Sequence, residues 1–247
     1  MFHMEQKEWF KDWFSSEYYK ILYRNRDEKE AELFISNLIK KIKLPQGSKV
    51  WDNACGKGRH SYIFSKNGLN VVGTDINEKN INEAKEKYPF DNVQFFIHDM
   101  RKEFYVNYFD LAVNLFTSIG YFEHLYEEKK VIKVMANSIK KNGYLVIDFF
   151  NPVYVTQYIV PLEIKTINNI QFIIKREIKN NIVIKTIEIK EGDLIKKYTE
   201  RVRILNNTFF ENEFRLNKIN LLQVFGDYEL NPYNDKSPRM IFLGKKI

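Results

Sequence analysis

Between a short apolar stretch and a helix-like one, the chain reads Val50-Trp51-Asp52-Asn53-Ala54-Cys55-Gly56-Lys57-Gly58-Arg59-His60. Glycines at 56 and 58 permit a sharp turn and a close backbone approach to a ligand, and the free amides opening the following helix suit a carboxylate or phosphate. Taken alone, Gly-x-Gly fits an ordinary strand-to-helix turn equally well. A second apolar stretch ends in Asp75, about twenty residues on, where one carboxylate can accept hydrogen bonds from both hydroxyls of a ribose. Loop and acid together predict a nucleoside-containing cofactor. Covalent and metal chemistry find little support in the same residues. Cys55 stands alone, and His60, His98 and His124 lack the spacing of a metal set or of a nucleophile with its base. Cys55 reads as a small packed side chain of the loop.

These residues need a scaffold, and the pattern supplies an alternating one. Trp9, Phe10, Trp13 and Phe14, and then Leu33, Phe34, Leu38 and Ile42, recur at helical spacing, and Leu44 to Ser48 ends the second run with breakers. Strands are predicted at 49–52, 70–75, 93–98, 109–115 and 144–149, with helices at 59–66, 78–88 and 127–140. Lys141-Asn142-Gly143 reads as the stop of the last helix. That order predicts a parallel α/β sheet. Beyond residue 160 the period becomes two. Strands are predicted at 170–178, 182–189 and 194–205, turning at Asn180-Asn181 and Glu191-Gly192-Asp193. Thr208 with Glu211 reads as a capping box for a helix to Leu216, with Asn217 as its left-handed exit. Strands at 219–225 and 240–246 close the chain. No internal repeat or low-complexity linker interrupts it.

The segment from Asp52 resembles motif I of class I S-adenosylmethionine-dependent methyltransferases, acidic-x-Gly-x-Gly-x-Gly. Asp52, Gly56 and Gly58 match, Ala54 stands for the first glycine, and Ser61 stands where the nicotinamide fingerprint has its third. The likeness extends over most of the chain and is similar to that of a bacterial group of small-molecule methyltransferases whose substrates are mostly unassigned. It rests on Tyr18 to Tyr23, Asp52 to Ser61, Asn114 to Phe122, Phe225 to Tyr228 and Ser237 to Ile241. The resemblance implies a doubly wound, seven-stranded, mostly parallel Rossmann-like sheet with a reversed last strand, S-adenosylmethionine as methyl donor, and S-adenosylhomocysteine as product. It assigns Asp52 and the backbone of Ala54 to Gly58 to the methionine end, Asp75 with Ile76 to the ribose, Asp99 and Met100 to the adenine, and Asn114 with Phe116 to the sulfonium side. An N-terminal helix is expected to close the pocket through Tyr19, Tyr23, Arg24 and Arg26, although a tyrosine stripe on a helix also suits core packing. No metal is expected. Methyl transfer needs alignment and dryness more than a triad. If the acceptor arrives protonated, Tyr121, His124, Asp148 and Asn151 near the strand ends are candidate bases, His124 reading more simply as a surface-helix residue. Asn151-Pro152-Val153-Tyr154 resembles the Asn-Pro-Pro-Tyr signature of amino-group methyltransferases. It follows the fifth strand rather than the fourth and reads as a turn leaving the sheet.

The expected organisation is a single methyltransferase domain of 247 residues in three parts. These are a helical cap at 1–46, a cofactor-binding core at 47–160 and 206–247, and an antiparallel β insert at 161–205 that covers the substrate with the cap. Lys and Arg number 39 against 32 Asp and Glu, a net charge of +7, which would motivate an RNA or tRNA base methyltransferase. But 30 of the 39 are lysine, and Lys and Glu interleave through the insert, as in Lys185, Glu188, Lys190 and Glu191, which disfavours a nucleic-acid partner. A non-catalytic protein binding S-adenosylmethionine is the alternative of another class, and a nicotinamide dehydrogenase ranks behind it. One cysteine, no apolar run of ~18 residues and no signal-like start predict a protein of the bacterial cytoplasm without a membrane partner. The acceptor predicted is a small molecule.

Overall fold

The computed structural model describes residues 8–23 and 28–247. They form two units, 8–23 with 156–204 and 28–155 with 205–247. In chain order the elements are α1 (Trp9–Phe14), α2 (Glu17–Leu22), α3 (Glu28–Ile42), β1 (Lys49–Asn53), α4 (Arg59–Lys66), β2 (Asn70–Asp75), α5 (Glu78–Lys87), β3 (Val93–Ile97), β4 (Phe109–Asn114), α6 (Leu125–Ser138), β5 (Ile139–Phe150), α7 (Pro152–Tyr158), β6 (Leu162–Ile167), β7 (Ile170–Lys179), β8 (Ile182–Glu191), β9 (Leu194–Arg203), α8 (Asn207–Leu216), β10 (Ile219–Phe225) and β11 (Arg239–Lys246).

The larger unit is built on a seven-stranded sheet of order β10-β11-β5-β4-β1-β2-β3. β1 to β5 run parallel, and β11 is antiparallel to both β5 and β10. Strands that are covered on both faces read as apolar runs rather than as alternation, and Val50 to Asn53 of β1 are all buried. The sheet is therefore doubly wound, with the expected reversed last strand. α3, assigned by sequence to the cap, packs in this unit instead. Its stripe of Ala31, Phe34, Ile35, Leu38 and Ile42 is buried with Ile63 and Phe64 of α4 and Val50 and Val71 of the sheet.

In the smaller unit β6, β7, β8 and β9 form an antiparallel meander, and one face is covered by α1 and α2. Trp13, Tyr18 and Leu22 are buried with Ile170, Phe172, Ile174, Ile187 and Ile189. The Trp13 indole donates to Glu200 Oε1 at 2.6 Å, and Tyr18 donates to Glu191 Oε2 at 2.7 Å. β6 escapes the sequence reading although its turn has the same chemistry as the one recognised. Asn168 and Asn169 (φ 52° and 62°) repeat the left-handed pair Asn180 and Asn181 (φ 51° and 60°), as a two-residue type I′ hairpin requires.

Three helix ends also differ. α6 stops at Ser138, and residues 141–143 belong to β5, where Asn142 is left-handed (φ 64°) in an irregularity between the pairs Phe109–Ile139 and Leu111–Tyr144. The buried Ile139 pairs with β4 at once, so no separate glycine exit is needed. α8 is capped by Asn206, whose side chain accepts from Phe209 N at 2.9 Å, not by Thr208. Glu211 accepts from Asn207 Nδ2 at 2.6 Å, and the left-handed exit falls on Lys218 (φ 58°) rather than Asn217.

Trp13 is fully buried and bonded at its only polar atom, so Trp13→Ala should cost about 3–5 kcal/mol. Urea unfolding followed on the β-rich unit checks this.

Candidate functional site

β1 leaves the sheet through a loop made of left-handed residues, Ala54 (φ 63°), Gly56 (φ 56°) and Gly58 (φ 78°). The loop is pinned at three points. Cys55 N donates to Thr74 O at 2.9 Å, Gly58 N donates to Cys55 O at 3.0 Å, and Gly56 N donates to Asp75 Oδ2 at 2.9 Å. Gly58 is required by space as well as by φ. A Cβ there would lie 2.6 Å from the Phe95 ring and 3.1 Å from Ala84 Cβ. A Cβ on Gly56 would instead meet nothing within 4 Å, so this stretch of backbone is open to a ligand. The alanine at position 54 pays for its turn: a residue with a Cβ in this region is disfavoured by about 1–2 kcal/mol.

Asp52, at the end of β1, is buried and accepts from Ser61 Oγ at 2.6 Å. Burial pushes its carboxyl up to about 6, with the Asp75 charge adding to the rise, while the Ser61 bonds and Arg59 oppose it. Asp75 is half-buried at the end of β2, with Ile76 leading from it to α5. Its Oδ1 accepts from Asn77 N at 2.8 Å while Oδ2 takes the Gly56 amide. Burial raises its carboxyl despite those two bonds. A carboxylate offers about four lone-pair positions, so two remain for hydroxyl donors. Burial likewise pushes the Cys55 thiol up, leaving it an inert neighbour, and lowers His60 to about 3, so this imidazole is neutral beside Arg59.

After β3, Asp99 is held by its own neighbour. Arg101 donates from N, Nε and Nη2 to both carboxylate oxygens at 2.7 to 3.1 Å, and from Nη1 to Glu127 Oε1 at 2.7 Å. Against burial, which acts to raise it, the Arg101 bonds hold the Asp99 carboxyl below its usual range. At the end of β4, Asn114 Nδ2 donates to Asn53 O at 2.9 Å and lies 4.0 Å from Met100 Sδ. Asn114 Oδ1 and Asn53 Nδ2 are buried without a hydrogen-bond partner among the described residues. Such orphans are costly in a native site. They sit where β1 and β4, adjacent in the sheet, both end, so the residues present suit a polar cofactor in the crevice beyond these strand ends.

Phe116 (φ 64°) and Thr117 (φ 61°) are consecutive left-handed residues after β4. Phe116 N donates to Asp148 Oδ2 at 2.8 Å, and Thr117 N donates to Asp148 O at 3.0 Å. Asp148 also accepts from Arg239 Nε at 2.8 Å and Tyr228 OH at 3.0 Å. With both oxygens occupied, Asp148 is a poor general base. Burial, reinforced by the Asp148 charge, pushes the Tyr228 hydroxyl up. A second carboxylate holds the rest of this loop: Glu128, fully buried in α6, accepts from Gly120 N at 2.9 Å and Phe122 N at 3.1 Å, bracketing Tyr121. His124 is the N-cap of α6. Asn151 donates to the carbonyls of Asn234, Asp235 and Ser237 and accepts from Val153 N, so its role is to clamp the loop before β11.

Sequence reasoning missed Asp148 with Arg239 as a pair, and Glu128. The signal for Glu128 was available: it precedes the buried Val131, Ile132 and Met135 at spacings of 3, 4 and 7, a carboxylate on a core-facing stripe. Tyr19 and Tyr23 belong to the smaller unit. There Tyr19 lies 5.5 Å from the Trp13 ring and Tyr23 donates to Glu200 at 3.0 Å. Arg24 and Arg26 lie outside the described residues.

A family model described as "Methyltransferase domain" matches residues 44–208, about two thirds of the chain. A curated relative, the dTDP-3-amino-3,4,6-trideoxy-alpha-D-glucopyranose N,N-dimethyltransferase of Streptomyces venezuelae, is 25% identical over 132 residues, 53% of this chain and 54% of the relative. The chain thus matches only about half the length of that relative. Among solved structures, an S-adenosylmethionine-dependent methyltransferase of Clostridium acetobutylicum superposes with a TM-score of 0.79 at 18% identity, covering 93% of this chain and 96% of its own. A sugar N-methyltransferase of Streptoalloteichus superposes with 0.74 at 15% identity, covering 92% of each. At these identities the two structures establish the fold.

Two outcomes follow from the loop. Ala54→Gly should stabilise the protein by about 0.5–1 kcal/mol, since relief of the left-handed strain exceeds the added unfolded-state entropy; thermal denaturation checks it. For Asp52, folding raises the carboxyl from 3.8 to about 6, so the native state binds more protons in that interval and stability falls as pH rises through it. The full penalty, on the order of 3 kcal/mol by linkage, applies above pH 6. Asp52→Asn should therefore gain stability over the parent at pH 8 and lose that advantage by about pH 4; urea titrations at the two pH values measure the difference.

Proposed function

This chain belongs to the family of methyltransferase domains, and we propose that it transfers a methyl group from S-adenosylmethionine to a small-molecule acceptor. The observation that carries the reading is the open backbone at Gly56, tied to Asp75 with lone pairs to spare, beside the unpartnered Asn53 and Asn114 groups. In the proposed site Asp75 with Ile76 receives the ribose, and Asp52 holds the 54–58 loop through Ser61 and β1 for the methionine end. Asn114 and Phe116 line the sulfonium side, and Met100 lies under the base. Asp99 reaches the base only through the lone pairs that Arg101 leaves.

The cofactor supplies an activated methyl group that is displaced in line, which puts the demand on alignment and on exclusion of water. The chain meets it with backbone held by carboxylates rather than with a nucleophile. An amine acceptor that arrives neutral needs no base, and the aminosugar N-methyltransferases among the relatives make an amine-bearing small molecule the first acceptor to try. Should a proton have to leave, Tyr121 is the candidate base to test first, because the amides on either side of it are held on Glu128.

A cytoplasmic setting is supported by the absence, among the described residues, of any helix long and apolar enough to cross a membrane. A small acceptor rather than a nucleic acid is supported by the pairing of lysines with glutamates on the surface, as at Lys165–Glu163 and Lys190–Glu188.

The cofactor is tested by thermal shift. S-adenosylhomocysteine at a hundred times its dissociation constant should add about 2.7 kcal/mol of stability, NAD and NADP should add none, and Asp75→Ala should abolish the shift. Absence of a shift in the parent protein would overturn the reading.

A further inference from the structure

We propose that Asp148 and Arg239 are a positioning pair for the methyl-transfer site, acting by holding Phe116 and Thr117 in the left-handed conformation that aims the Phe116 ring at the loop following β1. The inference rests on the function proposed above. Two adjacent residues of this shape, one aromatic and one β-branched, do not adopt φ of 64° and 61° unaided. Strain of this kind persists only where the surroundings over-determine it, and it gathers at functional sites.

The surroundings here are specific. Asp148 takes both amides, Phe116 N on Oδ2 and Thr117 N on its carbonyl. Arg239 fixes Asp148 through two nitrogens on Oδ1 and also donates to Thr117 Oγ1 at 3.0 Å, so a single guanidinium joins the carboxylate to the strained segment. Tyr228 completes the shell on Oδ2. The result is visible at the ring of Phe116, which lies 5.6 Å from the Arg239 guanidinium and 5.8 Å from that of Arg59, the first residue of α4. In an open α/β sheet the ligand crevice lies beyond the carboxyl ends of the strands where the order reverses. Here that is between β1 and β4, and the two loops leaving these strands meet across Arg59 and Phe116. Asp148 and Arg239, from β5 and β11, thus set the wall of the crevice without entering it.

The test is calorimetric titration with S-adenosylhomocysteine, alongside thermal denaturation, of the parent protein, Asp148→Asn, and Asp148→Asn combined with Thr117→Gly. Asp148→Asn is expected to weaken binding at least ten-fold. Glycine at 117, which adopts the left-handed conformation at no steric cost, is expected to recover most of that loss. A role in stability alone would lower the melting temperature and leave the dissociation constant of folded protein within two-fold of the parent, which would overturn the inference; so would a loss of affinity that glycine does not recover. If Asp148→Asn does not fold, Arg239→Lys, which keeps the charge but loses the fork, with and without Thr117→Gly, carries the same comparison. A parent protein that does not bind S-adenosylhomocysteine overturns the proposed function and this inference together. A parent that binds it, with variants unchanged, overturns the inference alone.

Discussion

At the carboxyl edge of the large sheet, carboxylates take the place of secondary structure as partners for loop amides. Asp75 accepts from Gly56 and Asn77, Glu128 accepts from Gly120 and Phe122, and Asp148 accepts from Phe116. Each of these amides lies in a segment that has left the ladder, and a buried donor without a partner costs about 1–3 kcal/mol. A charged acceptor roughly doubles the strength of the bond. The loops after β1 and β4 are therefore tied to the ends of rigid elements. That is what the proposed methyl transfer, which depends on near-linear alignment of three atoms, would ask of its scaffold.

The same logic explains where the net charge went. A surplus of seven positive charges could have made a binding face, but many of the lysines are paired with acids. Lys57 pairs with Glu83 at 2.8 Å, Lys66 with Glu32 at 3.0 Å and Lys140 with Asp110 at 2.6 Å. The exposed pairs among these, such as Lys66 with Glu32, contribute little to stability, yet they spread the charge over the surface. The arginines near the strand ends act differently. Arg101 and Arg239 each engage a carboxylate with several donors, as the planar guanidinium fork allows and an ammonium does not.

Periodicity and punctuation made the sheet legible, because its central strands β1 and β4 are buried on both faces and its helices carry continuous apolar stripes. The predicted strand at 70–75 coincides with β2, and the glycine loop falls where the sequence places it. Legibility failed where a tertiary partner replaced a local signal. α8 starts at Asn207 because the Asn206 side chain caps it at the Phe209 amide, and α6 ends without a glycine because Ile139 is already paired with β4. α3 looked like part of the cap because only its neighbours in space show which surface its stripe covers. In the site, Asp75 at the end of β2 was singled out by its spacing from the loop, and Asp52 at the end of β1 by the family resemblance. The grip of Asp148 on a loop 32 residues away, and of Arg239 on a loop 122 residues away, leaves no local trace.

The departures of the glycine loop from its usual pattern are compensated in pairs. Ser61 occupies the third glycine position, and its hydroxyl needs room to reach Asp52. Gly73, an extended residue of β2, supplies that room, since a Cβ there would lie 2.8 Å from Ser61 Oγ and 2.7 Å from the Phe95 ring. Phe95 in turn fills the space left by the missing side chains of both Gly58 and Gly73. The loop is thus held down by an aromatic ring on one side and by a serine–aspartate bond on the other, both permitted by a glycine whose backbone has no special conformation. At Ala54 no such partner exists. The left-handed turn is kept there at a steric cost, and the Cys55 and Gly56 amides bonded to β2 just beyond it offset that cost. Substitution in a binding loop is therefore tolerated where a neighbouring position yields volume or a hydrogen bond, and the positions that yield lie on the adjacent strands rather than in the motif itself.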